Sequence, residues 1–175
     1  MIWRWLIIAL SAFVVNTDNP PDLLQLATAQ GIRQNNGSDH VFLYTFARQG
    51  QSRETLVLLP GAVFQTGVIR SGAQRCISLQ AAMPFNLGDG AVLKISLADE
   101  RRRVQAVQLS LDPAHIRAHR AWTPIRLVIP TDMDHFTLQF EVDAGARGDS
   151  TADWVGIAAG SEAGCLLAAD SNGRR

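Results

Sequence analysis

The sequence predicts an all-β domain, a two-sheet antiparallel sandwich carried behind an N-terminal hydrophobic helical segment. Three observations predict it. From His40 onward, short apolar or alternating runs recur roughly every ten residues between Gly, Pro, Asp and Asn signals, the spacing expected of strands in a sandwich or barrel. Helical periodicity is nearly absent over the same stretch. Ahead of it, residues 1–15 place one positive charge, Arg4, before an apolar run over residues 5–15.

Taken in order, residues 1–15 have the charged start and apolar middle of an export signal, and they are shorter than the roughly 20 residues of a relaxed membrane span. Leu10 stands where a small residue is wanted before Ala12, and the better Ala27-Thr28-Ala29 lies far beyond the apolar run. Retention as a membrane anchor is therefore expected alongside export, and Trp3 and Trp5 suit an interfacial belt. Residues 16–39 read as a linker. Pro20 and Pro21 cannot continue a helix, residues 23–29 form a short helix candidate behind Asp22 as N-cap, and Asn35-Asn36-Gly37 is a turn.

The sandwich itself is expected over residues 40–169, followed by a polar tail at 170–175. Its strands are predicted at 40–47, 54–59, 63–70, 75–82, 91–98, 104–111, 125–129, 136–142 and 154–159, with a last one near 165–168. Period two is cleanest where Leu93, Ile95 and Leu97 alternate with Val92, Lys94 and Ser96, and where Phe136, Leu138, Phe140 and Val142 alternate with Thr137, Gln139 and Glu141. Strands with one apolar and one polar face fit antiparallel sheets and argue against a doubly wound parallel sheet.

Composition narrows the partners. Sixteen Lys and Arg balance sixteen Asp and Glu, so no net field draws the chain to phosphate backbones, and nucleic acid is not an expected partner. The basic run Arg101-Arg102-Arg103 follows Asp99 and Glu100 between two alternating segments and reads as a solvated hairpin tip. Cys76 and Cys165 match no metal-ligand spacing; they form either a disulfide in an oxidising compartment or two buried free thiols.

The most specific lettering lies in the second half: Gly88-Asp89-Gly90 ahead of a strand, a segment ending in Arg120 and Trp122, a strand carrying Leu138 and Phe140, then Gly148, Asp149, Asp153 and Trp154 before the closing strand. In this order the chain resembles the jelly-roll, carbohydrate-binding-module-like β-sandwich of bacterial extracytoplasmic and membrane-associated proteins. The likeness covers roughly residues 40–169 and implies a jelly roll. In that group a second Trp commonly follows the Asp-Trp pair, where this chain has Ile157, so the resemblance implies a reduced aromatic platform.

Candidate site residues follow. Trp122 and Trp154 offer indole faces that stack on sugar rings, and Arg120 and Asp89 offer groups that pair with hydroxyls; a Trp at such a position is more often a core anchor. Asp149 and Asp153, with Asp89 and Asp143 as possible neighbours, are candidate ligands of a structural Ca²⁺, which the resemblance also implies, or else ordinary turn residues. His115 and His119 have i, i+4 spacing without the carboxylate base of a zinc hydrolase. No nucleophile elbow, P-loop or dinucleotide fingerprint occurs.

The expectation is thus a non-catalytic interaction module, periplasmic or otherwise extracytoplasmic, held at the cytoplasmic membrane by residues 1–15 as an accessory subunit of a membrane protein complex. A lectin-like module for cell-envelope glycans is the first alternative. A small hydrolase on the same scaffold is the second.

Overall fold

Alternation along the chain sets the architecture, and the computed structural model describes it over residues 15–16, 40–71, 75–148, 151–160 and 165. The expected helix at 23–29, the leader up to residue 14 and the tail at 170–175 lie outside the described residues. No helix among the described residues is long and apolar enough to cross a membrane.

Eleven strands are described: β1 (Val15–Asn16), β2 (Val41–Arg48), β3 (Gln51–Leu58), β4 (Val63–Gln65), β5 (Ile69–Arg70), β6 (Cys76–Ala82), β7 (Ala91–Ala98), β8 (Arg103–Leu111), β9 (Thr123–Val128), β10 (His135–Ala144) and β11 (Val155–Ala159). Sheet one runs β1-β5-β10-β7-β8 with β4 also paired to β10, and sheet two runs β2-β3-β11-β6-β9. Every pairing is antiparallel except the two-residue parallel match of β1 with β5. Val15 and Asn16, read from sequence as the junction of leader and linker, thus extend the edge of sheet one.

The single strand expected at 63–70 is divided. Thr66 keeps its N–H on the Leu138 carbonyl, but its hydroxyl accepts the Leu138 N–H, taking the place of a main-chain acceptor, and the ladder resumes only at Ile69. The last strand, expected near 165–168, is not formed at its first residue: Cys165 is helical. β6 already has β11 on one side and β9 on the other, so no edge is left there for a further strand. Cys165 instead reaches β6 through a disulfide to Cys76, with Cα atoms 5.8 Å apart.

The sheets meet through their inner faces. Leu93, Ile95, Leu97, Phe136, Leu138, Phe140 and Val142 of sheet one pack against Leu56, Leu58, Leu79, Leu127, Val155 and Ile157 of sheet two. Sheet one keeps a polar outer face, with Lys94 opposite Glu141 and Ser96 opposite Gln139. Sheet two does not, because Phe46, Val57, Ala82, Trp122 and Ala158 form a second apolar cluster on its outside.

The β2–β3 hairpin produces that second layer. β3 pairs with β11 only over residues 56–58, and beyond this the arm folds across the outer face of sheet two. The Phe46 ring lies on Gly156, Arg48 Nε donates to the Met83 carbonyl (2.5 Å), and Trp122 Nε1 donates to the Gln51 carbonyl (3.0 Å). Gly156 is the floor of this contact, since a Cβ there would overlap Phe46. Gly156→Val is therefore expected to lift the arm and lower unfolding stability by about 1–3 kcal/mol, the usual cost of overpacking. Chemical denaturation of both proteins checks this, and an unchanged midpoint would show that the arm does not rest there.

Candidate functional site

Two places gather chemically active side chains, and the first is an aspartate knot where three turns meet. Gly88 and Gly90, at φ 85° and 93°, make the sharp turn that presents Asp89 ahead of β7, a backbone region that other residues rarely enter. Asp153, just before β11, is fully buried beneath it. Gly88 lies against the Asp153 carboxylate and the Thr151 carbonyl, and Gly145 lies against the carbonyls of Asp89 and Gly90.

Asp89 Oδ2 accepts the Arg147 N–H, whereas Asp89 Oδ1 and both Asp153 oxygens are buried without a well-formed hydrogen bond. Burial pushes the Asp153 carboxyl up to about 6, the adjacent Asp89 carboxyl adds to this, and the nearby N–H groups of Gly145 and Gly90 pull weakly the other way. These amides are close enough to act through their dipoles but lie outside good hydrogen-bond geometry.

Of the expected calcium ligands, Asp153 is in this knot and Asp149 lies outside the described residues. Asp143 is engaged elsewhere, 2.5 Å from Lys94 Nζ on the outer face of sheet one. Among the described residues no three His, Cys, Asp or Glu side chains gather as a metal cluster.

The second place is the corner beneath the hairpin arm. Trp122 is only 9% exposed. Its ring stacks on Phe46 at 5.0 Å, and the Arg53 guanidinium sits 5.6 Å from its centroid. Tyr44 continues the ladder, stacked 6.3 Å from Phe46. Arg120 closes the 3-10 turn Arg117–Arg120 by donating from Nε to the Pro113 carbonyl (2.7 Å) and from Nη2 to the Ala114 carbonyl (3.2 Å).

Arg120 and Trp122 therefore share this corner, and Trp154, edge-on to Phe42 (5.5 Å) and Phe85 (5.2 Å), packs against the same outer-face apolar cluster, while Asp89 belongs to the knot. Of the four residues read from sequence as a sugar site, Arg120, Trp122 and Trp154 thus lie around the outer face of sheet two, and Asp89 lies apart from them in the knot. Sequence reasoning passed over Arg48 and Arg53; the available signal was their place beside Phe46, which faces Arg53 across the hairpin and precedes Arg48 by two residues on the same face.

A cleft of about 370 Å³ beside β8 is lined by Asp89, Ser110, Asp112, Ile116 and His119, among others. Its histidine is already committed: His119 Nδ1 accepts the Asp112 N–H at 2.9 Å, which leaves the ring proton on Nε2. His115 turns to the Asp112 carboxylate instead (2.9 Å). No hydrogen bond among the described residues joins Ser110 to either ring. Burial pushes the Asp112 carboxyl up, but hydrogen bonds from the His115 ring and backbone outweigh this and hold it below its usual value.

Because the Asp153 pKa is raised on folding, the native state holds a proton that the unfolded chain has released between about pH 4 and 6. The contribution is complete below the unfolded carboxyl pKa and is lost as pH rises through about 6. Chelator-treated protein is thus expected to lose stability between pH 4.5 and 7.5 relative to Asp153→Asn, whose amide carries no charge. Parallel thermal melts that do not diverge over this range would refute the assignment.

Compared with known proteins, the chain matches no protein family and no curated sequence.

Proposed function

We propose that this chain is a non-catalytic extracytoplasmic interaction module, a jelly roll held at the membrane by residues 1–15, that docks as an accessory subunit on a membrane protein complex. The jelly-roll reading is supported by nested pairing: β7 with β8, β6 with β9, β4 and β5 with β10, and β3 with β11. That is the pattern of one long hairpin wound into two sheets. The Cys76–Cys165 bond supports an oxidising compartment.

The observation that carries the docking reading is the outer face of sheet two. Tyr44, 48% exposed, leads a ring ladder through Phe46 to Trp122, with Arg53 on top. Tyr, Trp and Arg are the residues that dominate binding hot spots. Glycan binding is the second reading, and it ranks behind because Phe46 and Arg53 already occupy the Trp122 ring. A hydrolase ranks last, since the cleft histidine is held by the Asp112 N–H.

Native protein extracted gently from membranes is expected to bring a stoichiometric membrane partner with it. A mature chain that begins after the leader and purifies alone as a monomer would end this reading.

A structural Ca²⁺ in the aspartate knot belongs to the same proposal, with Asp89 and Asp153 as its carboxylate ligands. The residues fit a hard cation: three buried carboxylate oxygens lack hydrogen bonds, and the carbonyls of Thr151, Asp89 and Gly90 line the same turns. The ion would cancel the repulsion between the two carboxylates and pin the three turns together. Millimolar Ca²⁺ is expected to raise the melting temperature at pH 7.5, chelator to reverse it, and Asp153→Asn to abolish the response. A calcium-independent melting temperature in the wild type would exclude the site.

A further inference from the structure

The positive charges of the chain are not evenly answered. Arg75, Arg102, Arg103 and Lys94 each lie within salt-bridge distance of a carboxylate. Among the described residues no carboxylate pairs with Arg48, Arg53 or Arg120, which belong to the corner beneath the hairpin arm; Arg70, Arg101, Arg117, Arg126 and Arg147 also lack one but are exposed to solvent, whereas Arg48 is buried and Arg53 half-buried. The hydrogen-bond partners of the corner arginines are neutral carbonyls: Met83 for Arg48, Ala159 at 3.5 Å for Arg53, Pro113 and Ala114 for Arg120.

Arg48 is only 9% exposed, and its Nη2 is buried without a partner, as is Arg53 Nε. Burial lowers the Arg48 pKa, and Arg120 is close enough to lower it further. Arg48 and Arg120, close enough to repel each other, and the unspent N–H donors of Arg48 and Arg53 leave a partly desolvated corner that an anion would relieve. Nothing within the described chain supplies that anion.

We infer that this corner is a carboxylate-binding site, and that it takes an acidic segment of a partner protein. The inference rests on the docking reading and names the chemistry of the partner. Two observations favour a peptide over other anions. The Trp122 ring is packed by Phe46 and Arg53 and almost wholly buried, so it offers little surface to a sugar, while exposed Tyr44 offers an apolar neighbour for peptide side chains. Guanidinium groups confined to one corner of a chain with no net charge offer a local contact for one or two carboxylates, not the extended basic track that a nucleic acid or an anionic bilayer requires.

A blocked hexaglutamate peptide titrated into the full chain, followed by NMR of the arginine Nε–H groups, tests this. Expected are saturable shifts at Arg48 and Arg53, no comparable response to hexaglutamine, and at least tenfold weaker binding in Arg53→Gln and in Arg120→Gln. The Arg53 variant removes one long hydrogen bond and the contact with the Trp122 ring but touches no turn, so it serves even if Arg120→Gln disturbs its own turn. Failure to saturate, an equal response to hexaglutamine, or unchanged affinity in Arg53→Gln would overturn the site. Tighter binding of glucuronate or inorganic phosphate than of hexaglutamate would overturn the acidic peptide in favour of those ligands. If a membrane partner co-purifies equally with wild type and Arg53→Gln, the site falls and the docking reading stands; if no partner co-purifies while hexaglutamate binds as described, the docking reading falls and the site stands.

Discussion

The pairing of β10 with β7 is the constraint on which the rest depends. Eight consecutive residue pairs run from Thr137 opposite Ala98 to Ala144 opposite Ala91. Strict alternation makes a slip of one residue intolerable, because it would turn Leu93, Ile95, Leu97, Leu138, Phe140 and Val142 outward together and bring Lys94, Gln139 and Glu141 into the core. With these two strands fixed, β8 and β4/β5 have only the flanks of sheet one to occupy. The inner face so formed is the surface on which sheet two must close.

Sheet two departs from the usual arrangement because it has apolar clusters on both sides. Gly156, Ala158 and Ala82 leave a shallow floor on its outer face, and Phe46 and Trp122 fill it from opposite edges of the sheet. The hairpin arm is thereby drawn over the sheet, which buries Thr55 and brings Arg48 and Arg53 into a corner where no carboxylate among the described residues pairs with them. The packing and the unanswered charge have one cause, the burial of aromatic rings that the inner core has no room for.

Strands written in clean alternation were legible in the sequence: residues 91–98 match β7 at both ends, and 136–142 fall within β10. What escaped was whatever depends on a long-range partner. Nothing local marks Arg48 as buried, because its environment is made by Met83 and Arg120, far along the chain. Asp89 reads locally as a turn residue and acquires its meaning only from Asp153 across the knot. The interruption at Thr66 depends on Leu138 in the same way. Ile157 is instructive. Its alternation with Gly156 and Ala158 puts it inward, where it is fully buried, so an aromatic residue at that position would enter the core and not an outer platform. The missing second Trp therefore says nothing about sugar binding on the outer face.

A chain with equal numbers of positive and negative side chains can still be locally far from neutral, and here the imbalance is buried where it matters most. Two carboxylates meet in the knot, and Arg48 and Arg120 approach each other in the corner with Arg53 over the neighbouring Trp122 ring, each set drawn in by backbone turns and aromatic packing, not by mutual attraction. Pairing the two sets with one another would have removed both penalties, but they belong to different turns of the fold. Neither set finds its counter-charge among the described residues. A small mobile ion suits the knot, which is enclosed by backbone on several sides. The corner borders exposed Tyr44 and Arg120, and so it suits a group carried by another molecule. Accessibility, more than charge, separates what stabilises this fold from what lets it recognise a partner.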